Sequence, residues 1–419
     1  TMKLPKPPTL SELEASDISS VLLRYLSEHP PTDAKGRYLS WEQFRYRHPT
    51  DSKYRWLAQK LNRHAIMQSM YIGDYQFSYC LPQSLQAKLY YIEYHYHQWQ
   101  WSIDTEELLF EEPITSAQLE GASTTRKVAK ELLASRRVPK NTSDVIIVNN
   151  YHLMPAVKQR INQPLDITMI LQLHQIATEG AIDNDAISGE FRQDDDIVIA
   201  DYDGQIVHQP PTWQTLPILM QAYCDFANAD HQGDDFIHPM VKAIILHFLL
   251  GFIHPFGDGN GRTARALFYW SLQKSGYTHF DYISISRLLH KAPKQYAQSY
   301  IDVETDELDM TYFIAYQLTI IDRAINDLQA LLSIDQASQS MPKSVPANPA
   351  VDYSNLSIHQ YQLLKNTPAN QVLTAKEVSN ELGISDSTAR KLLNELESMG
   401  LATTVRNGRG KGYLLVRQD

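Results

Sequence analysis

One stretch of the chain is apolar around almost the whole circumference of a helix. Pro239 opens it, and proline is favourable at a first helical position because its missing amide proton costs nothing there. Large apolar residues then recur at helical spacing, at Met240, Val241, Ile244, Ile245, Phe248, Leu249 and Phe252. Since Pro255 disfavours helical backbone just before it, the helix is predicted to end near Ile253. A helix that is apolar on nearly every face lies at the centre of its domain, so other helices must surround it.

The remaining sequence predicts a mainly α protein with two small β elements. Residues 1–110 have helical periodicity, and Leu89, Ile92, Tyr96 and Trp99 form one predicted buried helical stripe. Between residues 196 and 208, two β-branched runs flank an Asp-Gly pair, which is a strong signal for a β-hairpin. Residues 336–355 are rich in Ser, Pro, Ala and Asn without an apolar period, which predicts a linker.

A separate small domain is predicted over residues 356–419. Helices are expected at 356–366, 374–382 and 385–399, followed by two strands around a glycine-rich loop. Helix, helix-turn-helix and β-wing is the order of a winged helix. Four basic residues and one acidic residue in 401–419 favour DNA, whereas Asp386 in the candidate recognition helix does not. DNA binding and protein interaction therefore both stay open for this domain.

Composition narrows the class of protein. The chain has 419 residues, 43% of them hydrophobic and 21% charged, which is typical of a globular protein with several domains. Its net charge of -10 opposes general DNA binding. Two cysteines are too few for a disulfide framework, and no apolar run approaches the length of a membrane span. Because the first residues also lack a signal-peptide core, a cytoplasmic protein without a membrane partner is expected.

The segment HPFGDGNGRTAR, residues 254–265, concentrates reactive and phosphate-binding residue types between two predicted helices. Gly259 and Gly261 let backbone N–H groups point inward at a helix N-terminus, which suits an anion. Arg262 and Arg265 are three residues apart and can face the same anion.

Two further side chains complete this segment. Asp258 supplies a hard oxygen ligand suited to magnesium, and His254 can accept a proton near neutral pH. A base, a metal carboxylate, an anion nest and paired arginines together predict a phosphoryl or nucleotidyl transfer site. A metal hydrolase is the weaker alternative, because His238, His247 and His254 lack metal-ligand spacing, and His247 is predicted to be a buried, hydrogen-bonded core histidine.

The segment resembles the signature of the Fic family, HxFx(D/E)GNGRxxR, with every defined position present. The resemblance implies a Fic-type helical bundle over residues 111–335, with a β-hairpin flap, that moves AMP from ATP onto a hydroxyl of a target protein. It implies that His254 is the base and that Asp258 holds Mg²⁺. It also implies nucleotide contacts, which fall on Gly259, Asn260, Gly261, Arg262, Arg265 and, less directly, Tyr296. Glycine rather than lysine at 261 favours adenylylation over kinase activity.

Two other segments are similar to the family. The hairpin occupies the place of the flap, where Ile197, Val198 and Ile199 would pair with an extended target segment. Residues 116–121, SAQLEG, resemble the inhibitory motif (S/T)xxxE(G/N), placed before the core as in the subclass with an N-terminal inhibitory helix, here 114–121. Ser116 and Glu120 share a helix face, and Gly121 lets the chain leave the helix.

The resemblance implies that Glu120 pairs with Arg265 and denies that arginine to the γ-phosphate of ATP. Several alternatives stay open at this point. They are a winged-helix DNA-binding regulator, a Fic-fold enzyme with another phosphoryl donor, and removal of AMP as the main activity. Self-modification, homodimer formation and a DNA or protein partner for residues 356–419 are open as well.

Overall fold

The structure is a computed structural model. It describes residues 6–12, 20–98, 106–182, 186–200, 206–339, 360, 363–364, 367, 371–382, 384–399, 401–407 and 410–415. The chain divides into two compact units, Thr1–Asn326 and Asp327–Asp419. Residues 1–110 thus share one unit with most of the predicted core, and the boundaries proposed at 110/111 and 335/336 stay predictions.

Helices dominate the first unit, as the sequence predicted. Helices α1 to α14 are Ser20–Leu26, Trp41–Arg47, Ser52–His64, Gln83–Gln98, Glu111–Leu119, Arg126–Ala134, Thr142–Lys158, Ile167–Thr178, Leu216–Asn228, Pro239–Ile253, Asn260–Lys274, Ser286–Lys291, Pro293–Thr305 and Thr311–Gln339. Strands β1 to β4 are Gln68–Ile72, Tyr75–Tyr79, Ile199–Ala200 and Ile206–His208. None of the helices in the described part of the chain has the length and apolarity needed to cross a membrane.

Helix α10 is the centre of the first unit. From Met240 to Ile253, every residue except Lys242 and Gly251 is buried. The helix ends at Ile253 as predicted, because His254 adopts left-handed backbone at φ 50° and ψ 57°. Helix α11 packs beside it and is buried over most of its length. The loop that joins these two helices is therefore fixed at both ends by the core.

The helical interpretation of residues 1–110 is wrong for one segment. Strands β1 and β2 form an antiparallel hairpin whose register runs from Gln68 opposite Tyr79 to Ile72 opposite Tyr75. Gly73 in the turn has a φ of 56°, which glycine adopts without strain. The Gly73-Asp74 pair between two β-prone runs was the available signal. The buried stripe on α4 is confirmed for Leu89, Ile92 and Tyr96, and Trp99 lies outside the described residues.

Strands β3 and β4 are antiparallel, with Ile199 opposite His208 and Ala200 opposite Ile206. The predicted Asp203-Gly204 turn lies outside the described residues. Ile199 belongs to β3, whereas Ile197 and Val198 precede it without strand pairing. The base of this hairpin is tied down because His208 Nε2 donates a hydrogen bond to the Phe252 carbonyl at 2.7 Å.

The second unit contains a small mixed domain. Strand β5 is Val372–Leu373, helices α15 and α16 are Ala375–Leu382 and Asp386–Ser398, and strands β6 and β7 are Ala402–Asn407 and Gly410–Leu415. The sheet is antiparallel, with β7 between β5 and β6. A core of buried residues joins these elements, including Leu363, Val378, Leu393, Leu396 and Tyr413.

The winged-helix assignment stays a prediction. Of its first predicted helix, the structure describes only residues 360, 363 and 364 as helical, and Gly408 and Arg409 of the glycine-rich loop lie outside the described residues. Helix α14 extends to Gln339, so residues 336–339 of the predicted linker are helical. The rest of that linker, 340–355, lies outside the described residues.

Candidate active site

The loop between α10 and α11 is held in shape by buried side chains. Phe256 is fully buried, and its ring stacks on His174, with centroids 3.7 Å apart and planes 3° apart. The Asn260 side chain accepts a hydrogen bond from the Phe256 backbone N–H at 3.0 Å and donates one to the Phe256 carbonyl at 2.7 Å. The side-chain amide of Asn260 therefore braces the loop, and the nucleotide contact that the resemblance implied for Asn260 stays a prediction.

The first turn of α11 forms a positive backbone terminus. Gly259 has a φ of 81°, and a Cβ there would lie 2.4 Å from Thr178 Cγ2, so both backbone and space require glycine. The first intrahelical bond runs from the Thr263 N–H to the Gly259 carbonyl at 3.0 Å. The N–H groups of residues 260–262 precede that bond, and the helix dipole adds to their positive potential. This terminus suits phosphate.

Arg262 and Arg265, near the start of α11, have different hydrogen-bond partners. Arg262 donates from Nη1 to the Ala177 carbonyl at 2.7 Å and from Nη2 to Asp258 Oδ2 at 2.9 Å. Arg265 donates from Nε to Ser116 Oγ at 3.0 Å, and from Nη2 to the Ser116 carbonyl at 3.2 Å and to Glu120 Oε1 at 2.9 Å. Each arginine side chain is only 2% exposed.

Each guanidinium group also has one nitrogen without a hydrogen-bond partner in the described part of the chain. Among the described residues, Arg262 Nε and Arg265 Nη1 are buried without a hydrogen-bond partner. A buried guanidinium N–H that lacks an acceptor is costly, so its presence calls for an explanation such as a bound anion. The orphan atoms thus support the predicted anion site more directly than the arginine spacing did.

Asp258 is the carboxylate predicted to bind metal. Its Oδ1 accepts the Gly259 N–H at 2.6 Å and its Oδ2 accepts from Arg262, while the side chain stays 30% exposed. No group of three His, Cys, Asp or Glu residues in the described part of the chain could hold a metal. Magnesium in nucleotide sites is commonly held by one or two carboxylates together with substrate phosphates. Asp258 fits that arrangement, in which the ion binds together with the nucleotide.

His254 is positioned as a neutral base. Its Nδ1 lies 3.2 Å from the Gly251 carbonyl, so Nδ1 carries the proton and Nε2 keeps its lone pair. Burial lowers the pKa of His254 to about 4, because it disfavours the imidazolium form. At neutral pH the ring is therefore unprotonated and able to accept a proton.

Two residues that support this loop were not predicted as site residues. Arg192 donates from Nε to the His254 carbonyl at 2.9 Å, and its own N–H donates to the Pro255 carbonyl at 2.9 Å. His174 Nδ1 accepts the Gly189 N–H at 2.9 Å, so its Nε2 carries the proton and donates to the Asp258 carbonyl at 2.8 Å. Burial lowers the pKa of His174 to about 4, which keeps that arrangement neutral.

Tyr296, which the resemblance connected with the nucleotide, lies near Arg265 and His247. Its hydroxyl is 2.9 Å from His247 Nε2, and burial raises the pKa of Tyr296 while the nearby charge of Arg265 opposes that shift. His247 is fully buried, and burial lowers its pKa to about 3. The prediction of a buried, hydrogen-bonded core histidine at 247 is confirmed.

The predicted inhibitory segment is helix α5 together with its exit. The helix ends at Leu119, so the predicted range 114–121 extends two residues too far. Gly121 has a φ of 95°, and the Ala122 N–H donates to the Ala117 carbonyl at 3.0 Å, as in a Schellman motif. The exit leaves Glu120, which follows the last helical residue, against Arg265.

Helix α5 is firmly attached at its start. The buried Glu112 carboxylate accepts hydrogen bonds from Ser284 Oγ at 2.8 Å and from the Ser286 N–H at 3.1 Å. Burial raises the pKa of Glu112, and these bonds partly oppose that shift.

A cavity of about 380 Å³ is lined by residues that include Phe191, Arg192, Ile197 and Gly257. This cavity thus lies between the segment before β3 and the loop that joins α10 and α11.

The site lies in a part of the chain that is similar to a known family. Residues 164–272 match the Fic/DOC family. These residues contain α8, the β3–β4 hairpin and the loop that carries His254.

Two curated relatives are proteins named protein adenylyltransferase Fic, from Drosophila virilis and Drosophila melanogaster. Each is 36% identical over 126 residues, which are 30% of this chain and 24% and 23% of the respective relatives. The matched part thus spans about a quarter of those proteins. A solved Fic family protein from Desulfovibrio desulfuricans has a TM-score of 0.53 at 17% identity, over 82% of this chain and 99% of that chain. That likeness shows the shared fold.

Proposed function

We propose that the chain is a protein adenylyltransferase that transfers AMP from ATP to a Ser, Thr or Tyr hydroxyl of a target protein. The observation that carries the proposal is the loop between α10 and α11. It starts with a neutral His254 and ends at an α11 N-terminus, beside two buried guanidinium groups that each have one nitrogen without a hydrogen-bond acceptor among the residues that the structure describes. The names of the Drosophila relatives support the same activity.

In this mechanism, His254 Nε2 accepts the proton of the target hydroxyl. The hydroxyl oxygen forms a bond to the α-phosphorus, the bond from that phosphorus to the bridging oxygen breaks, and pyrophosphate leaves. A positioned base contributes roughly 10² to 10⁴ in rate. Arg192 and His174 act as positioning residues, because they hold the carbonyls of His254 and Asp258.

The phosphates would lie at the α11 N-terminus. The backbone N–H groups of residues 260–262 and the orphan Nη1 of Arg265 are the donors for them. Asp258 would hold Mg²⁺, which neutralises phosphate charge when bound. The flap strand β3, with Ile197 and Val198 before it, would align the target segment.

The activity is proposed to be inhibited by the chain itself. Glu120 accepts a hydrogen bond from Arg265 Nη2 at 2.9 Å, so this arginine cannot give that donor to the γ-phosphate. The carboxylate also brings negative charge to the place where phosphate must bind. In this proposal, the arrangement with Glu120 against Arg265 is the inhibited state.

The second unit is proposed to bind a partner outside the catalytic reaction. Arg390 and Lys391 of α16 are exposed, which favours DNA, whereas Lys411 is paired with Glu397 at 3.2 Å. Residues 356–419 with generic duplex DNA test this role: a mobility shift that weakens with salt supports DNA, and no shift at low salt leaves a protein partner. A cytoplasmic location, self-modification and homodimer formation belong to the same proposal.

The reaction is tested with ATP labelled on the α-phosphate and, in parallel, on the γ-phosphate. Wild type, Glu120→Gly and Glu120→Gly/His254→Ala are incubated with Mg²⁺ and a cell lysate, and the chain itself is a second acceptor. We expect protein-bound α-label with Glu120→Gly and its loss in the double variant. Bound γ-label would indicate a kinase instead, and no bound label of either kind would contradict the proposal.

A further inference from the structure

Gly261 lies directly next to the carboxylate of Glu120. A Cβ added to Gly261 would lie 2.2 Å from Glu120 Oε1, 2.9 Å from Glu120 Cδ and 3.0 Å from Arg265 Nη1. The first of these distances is far shorter than non-bonded carbon and oxygen atoms allow. The space that a side chain would take at position 261 is occupied by Glu120.

The backbone of Gly261 does not itself require glycine. Gly259 and Gly121 have φ values of 81° and 95°, which disfavour other residues, whereas Gly261 lies within the first turn of α11 outside the positive-φ set. Alanine is a better helix former than glycine at such a position. The requirement for glycine is therefore one of space, and the atoms that set it belong mainly to Glu120.

We propose that Gly261 is the positioning residue of the inhibitory contact: its missing side chain admits the Glu120 carboxylate to Arg265, and a side chain at 261 expels it. The inference rests on the proposed transfer activity. It adds a second role to a position that the sequence resemblance connected only with the nucleotide.

A clash at this point is relieved most easily by movement of Glu120. The carboxylate is at the end of a flexible side chain that is 26% exposed, and it follows the last residue of α5. Arg265 is 2% exposed and stays anchored to Ser116 through Nε and Nη2. Because α11 is buried on both sides of Gly261, the helix cannot easily move away. Expulsion of Glu120 would leave Arg265 in place with a free donor.

Transfer of α-label is compared for wild type, Gly261→Ala, Glu120→Gly and Glu120→Gly/Gly261→Ala. We expect Gly261→Ala to exceed wild type by roughly 10- to 100-fold, the range that corresponds to the loss of one hydrogen bond between charged groups. The double variant measures the direct effect of the new methyl group on the bound nucleotide, and the change between wild type and Gly261→Ala is compared with that effect. The proposal would be overturned if Gly261→Ala transferred no more α-label than wild type while the double variant transferred as much as Glu120→Gly.

A second measurement does not depend on transfer. The midpoint of thermal unfolding is determined for four proteins: wild type, Glu120→Gln, Gly261→Ala and Glu120→Gln/Gly261→Ala. We expect Glu120→Gln to lower the midpoint only where Gly261 is retained, because in the Gly261→Ala background the contact is already absent. An equal loss in both backgrounds would overturn the proposal.

The thermal comparison also distinguishes failure of the proposed transfer activity from failure of the role proposed for Gly261. If Glu120→Gly transfers no label, the proposed function fails, and the midpoints alone decide the role of Gly261. If only the double variant is inactive, the methyl group obstructs the nucleotide as well, and the midpoints decide again.

Discussion

The imidazole of His174 lies flat against the ring of Phe256, with centroids 3.7 Å apart, and both of its nitrogens are hydrogen-bonded to backbone. One side chain thus joins α8, the segment at Gly189 and the catalytic loop at Asp258. The loop geometry depends on a residue that is 84 positions away from Asp258 in the sequence.

We expect His174→Phe to keep the ring stacking and lose both hydrogen bonds. The Asp258 carbonyl and the Gly189 N–H would then lack partners, so the free energy of unfolding should fall by about 1–3 kcal/mol. Urea unfolding measures this change. His152→Phe, at an exposed position on α7, is the control and should stay within about 0.5 kcal/mol of wild type. An equal effect of both substitutions would contradict the role of His174.

The pH dependence of transfer reports the state of His254. Its pKa is lowered to about 4, so the ring is already neutral at pH 6, where an ordinary histidine is mostly protonated. We expect kcat/KM of the Glu120→Gly protein to stay level from pH 8 to about 6, and the limb that reports His254 to fall toward pH 4. An acidic limb with a midpoint near the ordinary value of 6.5 would contradict this.

The stability of the protein should fall as the pH drops from about 6.5 toward 4. Burial lowers the pKa of His29, His174 and His254 to about 4, so in this window the unfolded chain binds more protons than the folded chain. Asp302 acts in the opposite sense, since burial raises its pKa to about 6. The unfolding midpoint in urea, measured at pH 7, 6, 5 and 4, tests the net effect, and a midpoint that rises on acidification would refute it.

Asp258→Asn tests the metal assignment in the Glu120→Gly background. We expect the Mg²⁺ concentration for half-maximal transfer to rise at least roughly tenfold, because a neutral amide is a poorer ligand for a hard cation. Asp234→Asn, at an exposed position outside the catalytic loop, serves as the matched control. Chelation of Mg²⁺ should abolish transfer by both proteins. An unchanged Mg²⁺ requirement in Asp258→Asn would remove Asp258 from the metal site.

Local patterns predicted the parts of the site that local chemistry fixes. Helix α10 and its end at Ile253 follow from apolar periodicity and from Pro255. The contact of Arg262 with Asp258 joins residues only four positions apart across the start of α11, but from the sequence the carboxylate was assigned to metal alone.

Several contacts of the site carried little sequence signal. Asn260 has the residue type of a phosphate contact, and its side chain is hydrogen-bonded to the backbone of Phe256 within the same loop. Nothing near His174 in the sequence indicates that it would meet Asp258, because only the packing of α8 brings them together. The β1–β2 hairpin was missed because tyrosine-rich residues around it also suit a helix, and the turn at Gly73 decides between them.

The attachment of α5 through Glu112 restricts how the proposed inhibition would be relieved. The Glu112 carboxylate is buried and hydrogen-bonded to Ser284 and Ser286, so detaching the helix would break these buried hydrogen bonds. Glu120 stands one residue beyond the helix, partly in solvent, and can leave Arg265 by rotation about its own side-chain bonds. Such rotations of exposed side chains are complete within nanoseconds, far faster than any helix displacement. If the proposed inhibition holds, the proportion of active molecules is set by the strength of one ion pair, and it would adjust at once when the concentration of ATP changes.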